Sequence, residues 1–149
     1  MPLPAAPRTF EIGDSSRFSK TITESDVSTY AGLVGDFHPL HVDAEYARKS
    51  RYGRRTAPAM LVAGLIGTVL HNHLPGQCSV ELSQRIECLA PVFIGDTVTA
   101  RVEVINWQPE KRLLTLQTEC FNQENLQVIT GQAAFMIVDD EISAENERK

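Results

Sequence analysis

Two carboxylates and two histidines fall within eight residues of the chain, in the run Asp36-Phe37-His38-Pro39-Leu40-His41-Val42-Asp43. An ionised aspartate accepts hydrogen bonds strongly, and an imidazole exchanges protons near neutral pH. Together they can bind one water and deprotonate it, or run in reverse and protonate a departing hydroxyl. The same residues also have plainer uses. Taken singly, each fits a polar turn, as an Asp capping a helix or a solvated His. As a set, Asp36, His38, His41 and Asp43 are ligands that zinc or non-haem iron accepts, although Pro39 interrupts the His-x-x-His spacing. Phe37, Leu40 and Val42 interleave with the polar residues and predict partial burial, which favours a functional group over a merely polar turn.

Other segments could serve such a site. Arg48, Lys49, Arg51, Arg54 and Arg55 place five positive charges in eight residues, either as a solvated loop balanced by Asp43 and Glu45 or as a grip for phosphates. Downstream, Pro58 suits the first position of a helix, because its missing N–H would have had no partner there. The free N–H groups of Ala59, Met60 and Leu61 would then form an anion or oxyanion site wherever they face a cavity. Gly64 and Gly67 suit close backbone packing. His71 and His73, two residues apart, diverge on a helix and suit solvent or a cleft mouth.

The elements that must position these residues follow from the pattern. Residues 17–22 suit a short strand. Thr23-Glu24-Ser25-Asp26 has the form of a capping box, and Val27, Tyr30, Ala31 and Val34 follow at i, i+3, i+4 and i+7, with Gly35 as a stop. Pro39 excludes a regular helix through the middle of 36–43, and 44–49 suits a helical turn or two. Residues 58–70 are apolar on every side and predict a buried helix, closed by Leu74-Pro75-Gly76. Alternation around Val80, Leu82, Ile86 and Cys88, then across 98–104, 113–121 and 126–138, predicts about four antiparallel strands joined by short turns. Helices segregated from strands define an α+β domain at 17–138, with an extended arm at 1–16 and a charged, disordered tail at 139–149.

Composition bounds the rest. The chain has 149 residues, 42% hydrophobic and 22% charged, which fits one globular domain. The net charge of −5 excludes a dedicated nucleic-acid binder. Five acids and two bases in 139–149 account for −3 of it, so the remainder is nearly balanced and holds a local basic patch. Cys78, Cys88 and Cys120 are too few and scattered for a disulfide framework and fit a reduced, cytoplasmic protein. The start lacks a secretory pattern, and the longest apolar stretch, 57–70, is too short to cross a bilayer.

The run from Asp36 to Asp43 resembles the Asp-x-Asn-Pro-x-His-x-Asp segment of MaoC-like, R-specific enoyl-CoA hydratases. Residues 52–65 are similar to that family's Phe-x-Arg-x-x-x-His-Gly-Met-Leu block. Leu89-Ala90-Pro91-Val92-Phe93-Ile94-Gly95-Asp96-Thr97-Val98 resembles its Pro-Val-x-x-Gly-Asp turn. The resemblance implies a hot-dog fold, in which a curved antiparallel sheet wraps a central helix, and a dimer or higher oligomer with the active site near the interface. It implies Asp36 and His41 as the catalytic pair, interconverting trans-2-enoyl and (3R)-3-hydroxyacyl thioesters of CoA or acyl carrier protein, with no cofactor. Ala59, Met60, His38, Gly67, Arg54 and Arg55 are the expected substrate contacts. His38 stands where the family has Asn, Pro58-Ala59 where it has His-Gly, and Gly67 where some members carry a polar residue. A hot-dog thioesterase would instead place a carboxylate on the central helix, and 58–70 contains none. The substitutions at Pro58-Ala59 and Gly67 motivate a third possibility, a non-catalytic acyl-CoA-binding module.

Overall fold

A computed structural model of the protein describes residues 7–138. The elements in chain order are β1 (Ser15–Thr21), α1 (Glu24–Val34), α2 (Pro39–Val42), α3 (Ala44–Lys49), α4 (Ala59–Asn72), β2 (Ser79–Cys88), β3 (Thr97–Gln108), β4 (Leu113–Phe121) and β5 (Gln127–Ile137). The five strands form one antiparallel sheet in the order β1-β3-β4-β5-β2.

Period-two alternation decides which face of the sheet is covered. Val98, Ala100, Val102 and Val104 of β3 and Leu114 and Leu116 of β4 are fully buried, and with Val62, Ile66, Val69 and Leu70 of α4 they belong to one core. Each such Val, Leu or Ile side chain contributes about 1.5–3 kcal/mol by leaving water. The helix therefore lies along the sheet, against β3, β1 and β4.

Local chemistry fixes the rest of the helical layer. Thr23 caps α1 in the expected box, its hydroxyl accepting from the Asp26 N–H at 3.1 Å while the Asp26 carboxylate accepts from the Thr23 N–H at 2.9 Å. Gly35 ends the helix in the left-handed region, at φ 79°, and turns the chain into the Asp/His segment. Asp96, buried, accepts from the Phe93 N–H at 2.9 Å and from Gln123 Nε2 at 2.9 Å, which pins the turn before β3.

Several expectations need correcting. Helix α4 is not buried all round: Met60, Gly64 and His71 lie on an exposed side, because the sheet covers one side only. No backbone packs on its glycines, since a Cβ added at Gly64 or Gly67 would meet nothing within 4 Å. The alternation in β2 does not produce a buried face either. Val80 and Leu82 are about half exposed: β2 is an edge of the sheet, and α4 packs chiefly against β3, β1 and β4. No helix runs through 36–43, but Pro39 opens a short one there as its first residue, where a missing N–H costs nothing. Strand β1 starts at Ser15, two residues early, and the preceding segment is docked: Phe10 is buried edge-on against Trp107, and Arg8 donates to the Gln77 carbonyl at 2.6 Å. The expected disordered tail, 139–149, lies outside the described residues.

Candidate active site

A cleft of about 400 Å³ opens where the loop before α4 meets the end of β2 and the start of β5. His41 lines it from α2, Ala59 and Val62 from α4, and Cys88 and Ile129 from the sheet. Its walls are tied by backbone bonds: the Thr56 N–H donates to the Leu40 carbonyl at 3.2 Å, and the Ala57 N–H to the Val92 carbonyl at 2.7 Å.

His41 is half-buried, and its Nδ1 lies 2.7 Å from the Thr56 carbonyl oxygen, with Thr56 Oγ1 3.2 Å from the same nitrogen. A carbonyl oxygen only accepts, so Nδ1 carries the proton and donates it. Nε2 is left with the lone pair, the atom a general base needs. The backbone thereby fixes both the ring orientation and the tautomer.

His38 is held the opposite way. Its Nδ1 accepts from the Leu40 N–H at 3.1 Å, so this exposed side chain caps α2, with its ring centroid 5.5 Å from that of His41. Asp36, also exposed, accepts from the His38 N–H at 3.2 Å through one oxygen. Asp43 accepts from the Glu45 and Tyr46 N–H groups, both at 3.0 Å, and caps α3. The four side chains thus spread into local backbone contacts. Among the described residues no three of His, Cys, Asp or Glu gather as a metal site would require. Partial burial holds for Leu40 and His41, whereas Phe37 is 62% exposed.

At the start of α4, Pro58 offers no side-chain cap. The Leu61 and Val62 N–H groups both bond to the Pro58 carbonyl, at 3.1 and 3.2 Å. Leu61 is thereby removed from the expected donors. Among the described residues, Ala59 and Met60 keep unpaired N–H groups at the positive end of a fourteen-residue helix, and Ala59 lines the cleft.

The remaining sequence candidates scatter. Met60 is 61% exposed and Gly67 half-buried, and neither is among the lining residues. Arg55 turns to Glu24 of α1 in an ion pair that holds the Glu24 carboxyl below the usual carboxylate range and raises the Arg55 guanidinium. Arg54 stacks on Phe93, with its guanidinium carbon 3.9 Å from the ring centroid. Thr56, Tyr52 and Cys88 belong to the site but were not singled out as candidates. What Thr56 supplies is a carbonyl oxygen, which every residue has, so no residue-type signal marks it.

One antiparallel sheet packed along a central helix, with a cleft at the helix N-terminus, is the hot-dog architecture. The chain belongs to the MaoC-like domain family, whose model matches residues 9–125. It is 42% identical over 125 residues to an (R)-specific enoyl-CoA hydratase of Rhodospirillum rubrum, covering 84% of this chain and 86% of that protein. Among solved structures it matches an (R)-hydratase from A. caviae involved in PHA biosynthesis, with a TM-score of 0.84, 36% identity, and coverage of 87% of this chain and 98% of the other. An R-hydratase from Pseudomonas aeruginosa in unliganded form matches at a TM-score of 0.83 and 32% identity, over 88% and 84% of the two chains.

Proposed function

We propose that this protein is a hydro-lyase that interconverts trans-2-enoyl-CoA and (3R)-3-hydroxyacyl-CoA, with Asp36 and His41 as its acid–base groups. The observation that carries the proposal is the His41 ring, held through Nδ1 by the Thr56 carbonyl so that Nε2 keeps the lone pair, on a residue that lines the same cleft as Ala59. In hydration the thioester oxygen accepts from the Ala59 N–H, which withdraws charge from the conjugated double bond. Water held by His41 and Asp36 gives a proton to this pair, and the resulting hydroxide bonds to C3. The C2–C3 π electrons shift toward the carbonyl, and C2 then takes up one proton. The elements of a single water are added, and the reverse sequence removes them. The methyl group of Ala59 does not affect its N–H, so replacing glycine there keeps the donor.

The names of the relatives support a CoA thioester as substrate. Two uncovered surfaces support a homodimer. Among the described residues, strand β2 presents ten residues with one unpaired edge and exposed Val80 and Leu82, and the open side of α4 adds Met60 and Gly64. Among the described residues no two cysteines form a disulfide, which supports a reducing compartment, the cytoplasm. Among the described residues no helix is long and apolar enough to cross a membrane.

The test adds crotonyl-CoA, a four-carbon trans-2-enoyl thioester, and follows enoyl absorbance and free thiol together. Enoyl loss with a (3R)-hydroxy product and no thiol is expected. Release of thiol without a hydroxy product would make the protein a thioesterase, and binding without turnover would make it a carrier module. Light scattering should give twice the chain mass, and Leu82→Pro on the free edge should shift it toward the monomer.

A further inference from the structure

Five cations within eight residues look alike in the sequence, but the structure divides them. Arg48 and Lys49 both reach Glu45, at 2.8 and 3.4 Å, and Arg55 is bound to Glu24. Among the described residues, Arg51 and Arg54 have no carboxylate partner; each lies over an aromatic ring, Tyr52 at 5.3 Å and Phe93 at 3.9 Å. Arg51 and Tyr52 line the cleft, and Phe93 follows the lining residue Val92 directly.

From this division we propose that Arg51 and Arg54 form a two-point clip for the diphosphate of the CoA moiety. The inference rests on the hydratase reading above and names the carrier that the same cleft accepts. A ring against the face of a guanidinium restrains it without using its N–H groups, which stay available in the plane for a bidentate phosphate contact. A thioester with its acyl chain in the cleft must lead its carrier out past this rim. A protein carrier would present acids spread along a helix and would need a broad cationic face. Three of the five cations here already face the carboxylates of Glu45 and Glu24, and two on one short loop match a compact dianion.

The experiment compares crotonyl-CoA with crotonyl-N-acetylcysteamine, which lacks every phosphate, and with a crotonyl-loaded acyl carrier protein. The parent, Arg51→Ala/Arg54→Ala and Arg48→Ala proteins are assayed side by side. The kcat/KM preference for the CoA thioester over the truncated one should fall about tenfold or more in the double variant, mainly through KM, and stay at the parent level in Arg48→Ala. In the parent it should also fall with added salt. An unchanged preference in the double variant, or an equal loss on both small thioesters, overturns the clip. So does a loss confined to the carrier-protein thioester. If the parent turns over none of them, the hydratase reading fails by itself. The clip is then decided by calorimetry with free CoA, where affinity at least tenfold weaker in the double variant supports it and equal affinity overturns it.

Discussion

The two sides of α4 are made for different purposes although they share one apolar sequence. On the sheet side, Val62, Ile66, Val69 and Leu70 are at most 1% exposed and fill the core. On the other side, Met60 is 61% exposed, and a Cβ at Gly64 or Gly67 would meet nothing within 4 Å. The helix N-terminus lies at the cleft, where the core side holds it in place and its unpaired N–H groups remain for chemistry. A uniformly apolar helix can therefore be half core and half exposed, and only the elements packed against it decide which half is which.

The largest effect should follow from cutting the sheet side. Ile66→Ala is expected to cost about 2–5 kcal/mol in denaturant unfolding, because it leaves a cavity between helix and sheet. Met60→Ala on the open side should stay within about 0.5 kcal/mol in the monomer. Equal costs at the two positions would erase the distinction between the sides.

Glycines sharpen the same contrast. At Gly131 of β5 an added Cβ would lie 1.9 Å from the Arg85 carbonyl oxygen, a backbone atom that cannot swing away. Gly131→Ala should destabilise by about 1–3 kcal/mol, measured as a lower urea midpoint. Gly64→Ala in the open face of α4 should instead stabilise the monomer by about 0.5–1 kcal/mol, through helix propensity alone. If it weakens the assembled protein in light scattering, a second copy covers that face.

The smallest effect concerns the first turn of α1, which carries ion pairs at the surface while Val27 and Ala31 hold the helix in the interior. Arg55 beside Glu24, and Lys20 beside Asp26, hold both carboxyls below their ordinary range. Groups whose folded values are lowered stabilise fully above the unfolded carboxylate range, and that contribution disappears as pH falls through the folded values. Both pairs are at the surface, so each should be worth about 0.2–1 kcal/mol. Thermal midpoints recorded from pH 7 down to pH 3 should fall less steeply for Glu24→Gln than for the parent.

Elements were legible in the sequence where periodicity and caps agree, as in α1 with its box at Thr23 and its stop at Gly35. The strands β3 and β4 were legible for the same reason, because one face of each meets the core. Strand β2 misled because alternation does not say whether a neighbour exists to cover it. At the site, the run from Asp36 to Asp43 was visible as a set of residue types, but its division of labour was not. His38 and His41 differ by which backbone group lies beside Nδ1, an N–H in one and a carbonyl in the other. The basic run shows the same limit: Glu24, 31 residues from Arg55, removes that cation from the rim.

The central claim is that His41 acts through the lone pair on Nε2, with Asp36 as its partner. Initial rates of crotonyl-CoA hydration for His41→Ala and Asp36→Asn, each with a circular dichroism spectrum matching the parent, test it most directly. A fall in kcat of about 10²–10⁴-fold for each variant is the predicted result. Parental turnover in His41→Ala would contradict the account.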